Sequence, residues 1–321
     1  MIDFLQGDVF DNIKKLDDNT IDCVVTSPPY WGLRDYGVDG QLGLEKTYQE
    51  HIQNIVELFR AMKPKLKDSA TVWLNYGDSY ASTVNGTKVK DQVKNKVQFA
   101  GKYLIEGDDR TFRDKPFSTI QGSLKPKDLV MIPNRIAIAL QDDGWWIRSE
   151  IIWHKPNPMP ESTKDRPTSC HEKIWLITKS KKYYYDADAI REPVAQGTIT
   201  RLSEKNLKNQ KGSTRGNGGM KSNGNMKPVG NMETKNKRNV WTVTTKPFKG
   251  SHFATFPKDL IEPCIKAGCP ENGTVLDPFG GAGTTGIVSA LNNRNAILIE
   301  LNHKYIKIAE DRIEKELGLF I

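Results

Sequence analysis

Two short stretches of the chain hold residue types that can do chemistry together. Thr26-Ser27-Pro28-Pro29-Tyr30-Trp31-Gly32 follows the apolar run Cys23-Val24-Val25. Consecutive prolines fix the backbone and remove two amide donors, so the run must end at a rigid corner. Such a corner can aim a carbonyl oxygen and the Ser27 hydroxyl at one donor group, with the flat face of Tyr30 beside them. That combination suits a planar base carrying an exocyclic amine. The second stretch, Val275–Gly286, reads VLDPFGGAGTTG and places Gly281, Gly283 and Gly286 in the spacing GxGxxG. Glu300 ends the next apolar run, 17 residues after Gly283. A glycine turn between strand and helix lets backbone approach a ligand closely, and an acid at the following strand end can hold a ribose diol.

A bare GxGxxG also occurs in nicotinamide dehydrogenases. There, however, the turn opens a domain and a full half-sheet follows it, whereas fewer than forty residues follow Gly283 here. The other strands must come from the preceding sequence, as in a circularly permuted fold. Asp277 could accept a hydrogen bond from an ammonium group and Phe279 could pack beside a cofactor. These features suit S-adenosylmethionine (SAM), zwitterionic at one end and cationic at sulfur, better than a pyrophosphate.

The elements that must position these residues alternate in type. Apolar runs in IDFLQGD, DCVVTS, ATVWLNYGD, WIRSEIIWHK, KIWLITKS, TVLDPF and AILIEL read as strands. YQEHIQNIVELFRAMKPKL, PNRIAIALQDDG, PKDLIEPCIKAG, TTGIVSALNNR and HKYIKIAEDRIEKEL read as helices, with Ile52, Ile55, Val56 and Phe59 at helical spacing. The alternation predicts an α/β sheet with helices on its faces. Polar stretches at 81–126 and 193–240 interrupt it, each after a strand, where α/β proteins build their binding loops. The expected division is therefore 1–80 as the core part bearing the proline corner, 81–126 as a polar insertion, 127–192 as continuing core, 193–240 as a basic insertion and 241–321 as the part bearing the glycine turn.

At 321 residues and 37% hydrophobic content the chain can bury a large core. No apolar segment is long enough to span a bilayer and the first residues are acidic where a secretion signal is basic, so a cytoplasmic protein is expected. Cys23, Cys170, Cys264 and Cys269 have no metal-ligand spacing with one another or with His154, His171 and His252, and reduced thiols without a metal are the expectation. Residues 201–239 carry ten Lys/Arg and two Glu, which accounts for the whole formal net charge of +8. That Gly-, Asn- and Lys-rich segment cannot form a core alone; it reads either as a solvated loop or as a loop that attracts phosphates.

Taken together, SPPY and DPFGGAGTT resemble the DNA amino-methyltransferases that modify exocyclic nitrogens, in the β arrangement in which the (S/D/N)PPY motif precedes FxGxG. The resemblance extends over residues 125–186, which look like that family's central region, and over HFATFPKDLIEPCI before the glycine turn. It implies a Rossmann-like SAM-dependent methyltransferase fold, circularly permuted, with an inserted target-recognition region. It also implies Ser27, Pro28, Pro29 and Tyr30 as the catalytic corner. Asp277, Phe279, Gly281 and Gly283, with Thr284 beside them, fall on the methionine side of SAM and Glu300 on its ribose; Asp8 falls at the adenine edge, and His252 and Phe253 at the methionine end. SPPY is the form typical of N4-cytosine enzymes and DPPY of N6-adenine enzymes, so the expected reaction is methylation of cytosine N4 in duplex DNA after base flipping. N6-adenine methylation, an RNA substrate and a non-catalytic nucleic-acid-binding module are the alternatives.

A C5-cytosine mechanism needs a nucleophilic cysteine in a loop. Pro263-Cys264 instead lies within an amphipathic helical pattern, and Cys264 reads as structural. The resemblance further implies a bacterial, archaeal or phage-infected cell, a place in a restriction-modification system with a cognate restriction endonuclease, and a monomer or homodimer. Target recognition is expected from the two insertions together with the aromatic and basic residues of 153–166. Deleting most of 201–238 is expected to weaken binding to duplex DNA and to flatten its dependence on salt, while SAM affinity stays unchanged; titrations at several salt concentrations beside calorimetry check this.

Overall fold

The computed structural model describes residues 1–82, 117–197, 199, 233–245 and 255–318. Met1–Tyr185 and Asn239–Ile321 form one compact unit, and Asp186–Arg238 a second.

The first unit is built on an eight-stranded sheet. In chain order its elements are β1 (Ile2–Gln6), α1 (Val9–Lys15), β2 (Ile21–Thr26), α2 (Tyr48–Met62), β3 (Leu66–Tyr76), α3 (Ile132–Asp142), β4 (Trp146–His154) and β5 (His171–Thr178). In the second unit a 3₁₀ turn (Asp188–Ile190) precedes a short antiparallel ladder of β6 (Glu192–Pro193) and β7 (Thr234–Lys235). The first unit resumes with β8 (Val240–Thr242), α4 (Lys258–Gly268), β9 (Thr274–Asp277), α5 (Thr284–Leu291), β10 (Asn295–Glu300) and α6 (His303–Leu317).

The sheet order is β1-β10-β9-β2-β3-β5-β4-β8. β1, β10, β9, β2 and β3 run parallel, β5 is antiparallel to both β3 and β4, and β8 is parallel to β4. The last two strands of the chain thus lie between the first two, which is the permuted arrangement expected from the position of the glycine turn. All six residues of β2 are buried, as befits a central parallel strand covered on both faces. α2 is held at its start by a capping box between Thr47 and Glu50 and buries Ile55, Val56, Phe59 and Met62 at helical spacing.

The structure departs from the sequence reading in three places. α1 is an addition to the expected helices: seven residues give too short an apolar repeat to register, and the Asp8 cap that starts the helix is the better signal. Residues 117–126 fall in the expected polar insertion, yet Thr119 and Leu124 are buried, Phe117 packs against Trp31, and Ala81 donates to the Asp128 carbonyl at 2.8 Å. The second unit, Asp186–Arg238, also takes in residues ahead of the basic stretch. Within it Glu192 pairs with Arg238 and Lys235, and Arg191 bonds Thr234 and Asn236.

α4 lies close on the sheet because its last residue has no side chain. A Cβ on Gly268 would fall 2.3 Å from Thr71 Oγ1 and 2.4 Å from Trp73 Nε1, and the Thr71 hydroxyl donates to the Gly268 carbonyl at 3.0 Å. Gly268→Ala is expected to lower the unfolding free energy by about 1–3 kcal/mol, read from urea denaturation, with SAM affinity unchanged.

Candidate active site

Because β1, β10, β9, β2 and β3 are parallel, their carboxyl ends share one edge of the sheet, where open α/β folds bind ligands. Asp8 follows β1, Glu300 ends β10, Asp277 ends β9, and Ser27 follows β2. The antiparallel β5 brings its beginning to the same edge, so Glu172 sits near Asn75 of β3 and near Lys155, which follows β4. A cavity of about 890 Å³ opens along this edge. It is lined by Ser27, Pro28, Pro29 and Tyr30 on one side and by Asp8, Phe279, Gly281 and Glu300 on the other. The proline corner and the glycine turn, separated by about 250 residues in sequence, therefore face one space.

The corner at 27–30 is stiff. Tyr30 stacks on Tyr76 with ring centroids 4.4 Å apart and planes 26° apart, and it lines the cavity. Gly77 is glycine because a Cβ there would lie 2.8 Å from the Tyr30 ring and 3.0 Å from the Glu172 carboxyl carbon. Below this layer runs a buried polar chain: the Trp31 amide donates to Tyr76 Oη at 2.8 Å, Tyr76 Oη meets His51 Nε2 at 2.8 Å, and His51 Nδ1 meets Glu45 Oε2 at 2.9 Å. Burial alone would raise the Glu45 carboxyl, but its hydrogen bond and charge pairing with His51 hold it below the ordinary carboxylate range.

The glycine turn is equally well determined. Gly281 and Gly283 adopt φ of +51° and +74°, which favour glycine. The Gly281 amide donates to Glu300 Oε2 at 2.9 Å and the Asn302 amide to Oε1 at 2.8 Å, fixing the carboxylate where it borders the cavity. Burial raises the Glu300 carboxyl above its ordinary value. Asp8 accepts from the Phe10 and Asp11 amides as the cap of α1 and also lines the cavity.

Three expected site residues serve the turn from within. Asp277 is 2% exposed, and its carboxylate accepts from Thr26 Oγ1 at 2.8 Å, Thr285 Oγ1 at 2.6 Å and the Phe279 amide at 3.1 Å. Its side chain points into the protein, toward Thr26 and Thr285; sequence places the acid at the strand end but does not give the direction of its side chain. Gly283 packs on α6, where a Cβ would fall 2.9 Å from that of Ala309, and the buried Thr284 hydroxyl accepts from Arg312 at 2.8 Å. Neither lines the cavity. His252 and Phe253 lie outside the described residues.

Sequence reasoning missed Asn75 and Glu172. Glu172 Oε2 accepts from Tyr30 Oη at 2.8 Å and from Asn75 Nδ2 at 3.2 Å, while its Oε1 accepts from Lys155, whose ammonium also lies 4.3 Å from the centre of the Trp153 ring. The signal in the sequence is an acid in the charged opening His171-Glu172-Lys173 of a strand that is apolar from Ile174 to Ile177. Cys264 is buried in α4, as a structural thiol would be.

A largely parallel sheet that brings a glycine turn and a proline corner to one cavity has the arrangement with which open α/β folds bind nucleotide cofactors. The family model for DNA methylases that act as N6 and N4 amino-methyltransferases matches residues 21–311, and the chain belongs to that family. It is 43% identical over 307 residues to the type II methyltransferase M.SmaI of Serratia marcescens, covering 96% of this chain and 89% of that protein. Identity to M.Cfr9I of Citrobacter freundii is also 43%, over 311 residues, covering 97% of this chain and 87% of that one. Among solved structures, the cytosine-N4-specific PvuII DNA methyltransferase superposes with a TM-score of 0.61 at 17% identity, covering 97% of this chain and 86% of that one. A putative DNA modification methylase of Thermus thermophilus complexed with SAM gives 0.57 at 18% identity, covering 100% and 98%. The fold is that of these SAM-dependent DNA methyltransferases. Among the described residues no helix is long and apolar enough to cross a membrane.

Burial pushes the Asp277 carboxyl up from 3.8 to about 6, against the three hydrogen bonds that favour its ionised form. Between pH 3.8 and about 6 the folded protein therefore holds a proton that the unfolded chain has released, and this group's contribution to stability falls as pH rises through that window. Asp277→Asn is expected to remove that slope. The difference in unfolding free energy between wild type and variant, measured from pH 4 to 7, should change across the window and be level above it.

Proposed function

We propose that the protein is a site-specific type II DNA methyltransferase that transfers a methyl group from SAM to the exocyclic N4 of cytosine in duplex DNA. The observation that carries this reading is the single cavity bordered by both the SPPY corner and the glycine turn with Glu300. Its volume of about 890 Å³ falls in the range of small-molecule sites. The glycine-turn side fits SAM: Gly281 permits close backbone approach, Phe279 offers apolar surface, and Glu300 keeps acceptor capacity for a ribose diol beyond the two amides it already binds. Asp8, which also lines the cavity, takes the adenine edge. Asp277 acts indirectly, by holding Phe279 and the turn.

SAM supplies a methyl group carried on a cationic sulfur. The amine of cytosine is a poor nucleophile because its lone pair is delocalised into the ring. Ser27 and the Pro28 carbonyl accept its hydrogens, favour a tetrahedral nitrogen and so free the lone pair for in-line attack. Positioning and local electrostatics supply most of the rate, and no covalent enzyme intermediate is required. The amine lies within a base pair, so the base is flipped out of the duplex, and stacking on Tyr30 offsets part of the unstacking cost. Ser27 in place of Asp supports cytosine over adenine. The type II relatives support a site-specific role with a cognate restriction endonuclease.

Mass spectrometry of nucleosides from mixed-sequence duplex DNA incubated with enzyme and SAM is expected to show N4-methylcytosine. N6-methyladenine would overturn the base assignment, and methylation of RNA but not DNA would overturn the substrate. Tyr30→Ala is expected to lower the rate about 10- to 100-fold through lost stacking of about 1–3 kcal/mol while leaving SAM affinity intact; an unchanged rate would remove Tyr30 from the mechanism.

A further inference from the structure

The mechanism above leaves Glu172, Lys155 and Asn75 without a task, although all three border the cavity beside Tyr30. Their hydrogen bonds form a chain with a direction. Ser27 Oγ donates to Tyr30 Oη at 3.3 Å, and Tyr30 Oη donates to Glu172 Oε2 at 2.8 Å. Glu172 is clamped from the other side by Lys155 on Oε1 and by Asn75 Nδ2 on Oε2 at 3.2 Å. Asn75 Oδ1, at 3.4 Å from Tyr30 Oη, is likewise an acceptor.

An ionised carboxylate only accepts, whereas a hydroxyl has one proton and can do either. The end of the chain therefore decides its sense. Tyr30 spends its proton on Glu172 and keeps only lone pairs toward Ser27; Ser27 then spends its proton on Tyr30 and keeps only lone pairs toward the cavity. Burial and the neighbouring Glu172 charge raise the Tyr30 phenol well above its ordinary value, so the phenol keeps the proton this scheme requires. The Ser27–Tyr30 leg is long for an O–H···O bond, and such bonds commonly tighten when substrate is bound.

The sense of the chain matters for the reaction. A serine that pointed its proton at the amine would oppose the N–H groups or cap the nitrogen lone pair that must attack. We propose that Glu172, held by Lys155 and Asn75, is a positioning residue that fixes the Ser27 hydroxyl through Tyr30 as an acceptor, so that serine presents lone pairs to the target amine as a carboxylate at that position would. The inference rests on the reading that Ser27 receives the exocyclic amine, and it holds for cytosine or adenine alike.

The test is single-turnover methyl transfer from tritium-labelled SAM to unmethylated phage genomic DNA, with SAM affinity measured separately by calorimetry. Glu172→Gln is expected to lower the rate at saturating DNA by at least about tenfold, the scale of one hydrogen bond to a charged group, without changing SAM affinity. It should be no milder than Glu172→Ala, because an amide that turns its oxygen to Lys155 presents its NH₂ to Tyr30 Oη and reverses the chain. Tyr30→Phe added to Glu172→Gln should cost about twofold or less beyond the single change, since both break one chain. In a Ser27→Asp background, where the acceptor needs no orienting, Glu172→Gln should cost less than about threefold. A Glu172→Gln enzyme that keeps more than half the wild-type rate overturns the proposal. So does a Gln variant clearly milder than Ala, or a parallel loss of rate and SAM affinity, which is what a merely structural residue gives. If Ser27→Asp is itself inactive, the comparison of Gln with Ala decides. The methylated nucleoside made by wild type bears on the proposed function, and the ratio of variant to wild-type rates bears on the chain, so the two can fail separately.

Discussion

The site depends on the parallel pairing of β2 with β9, in which Cys23 stands opposite Val275 and Val24 opposite Leu276. Those registers set the ends of the two strands side by side, and the hydrogen bond from Thr26 Oγ1 to Asp277 locks them at the point where each chain turns into its loop. A parallel pair cannot be closed by a tight turn, so the connection between them runs through most of the protein. Everything inserted between β2 and β9 is in that sense a long crossover, and the proline corner meets the glycine turn only because the crossover closes.

Closing it places an acid in a dry environment. Asp277 is 2% exposed, and burial lifts its carboxyl to about 6 while Thr26, Thr285 and the Phe279 amide favour its charge. The arrangement stabilises one geometry of the turn, because every hydrogen bond to that carboxylate fixes a different element: the end of β2, the first turn of α5 and the backbone leading to Gly281. Opposite it, the chain Trp31–Tyr76–His51–Glu45 does the same for the loop after the proline corner, and the Tyr76 ring at its top supports Tyr30. Two buried polar networks thus hold the two walls of one cavity, each fully paired at the atoms named, which is the condition under which buried polar groups specify a structure.

The sheet adds a feature that neither motif announces. Reversal of β5 between β3 and β4 delivers the start of one strand to the edge where its neighbours end, and so brings Glu172 to Tyr30 and Lys155. An all-parallel order would have put the other end of β5 at this edge.

The sequence by itself determined the fold class, the permuted order and the two motifs, because these follow from local patterns: apolar runs of strand length, amphipathic repeats, a proline pair and a glycine turn. Ser27, Tyr30, Phe279, Gly281 and Glu300 were singled out by the same local patterns, at a strand end or in a turn beside one, and Asp8 by the family resemblance; all six line the cavity. Side-chain direction and long-range partnership were not legible. Asp277 reads as a strand-end acid open to a ligand, and only the tertiary structure shows it turned inward to Thr26 and Thr285. Gly283 and Thr284 belong to the motif but serve packing against α6, through Ala309 and Arg312. Glu172, Asn75 and Lys155 come from three strands or strand ends far apart in sequence, and no local spacing links them. Strand order and hydrogen-bond polarity are properties of the assembled sheet, and they decided which of the motif residues line the cavity.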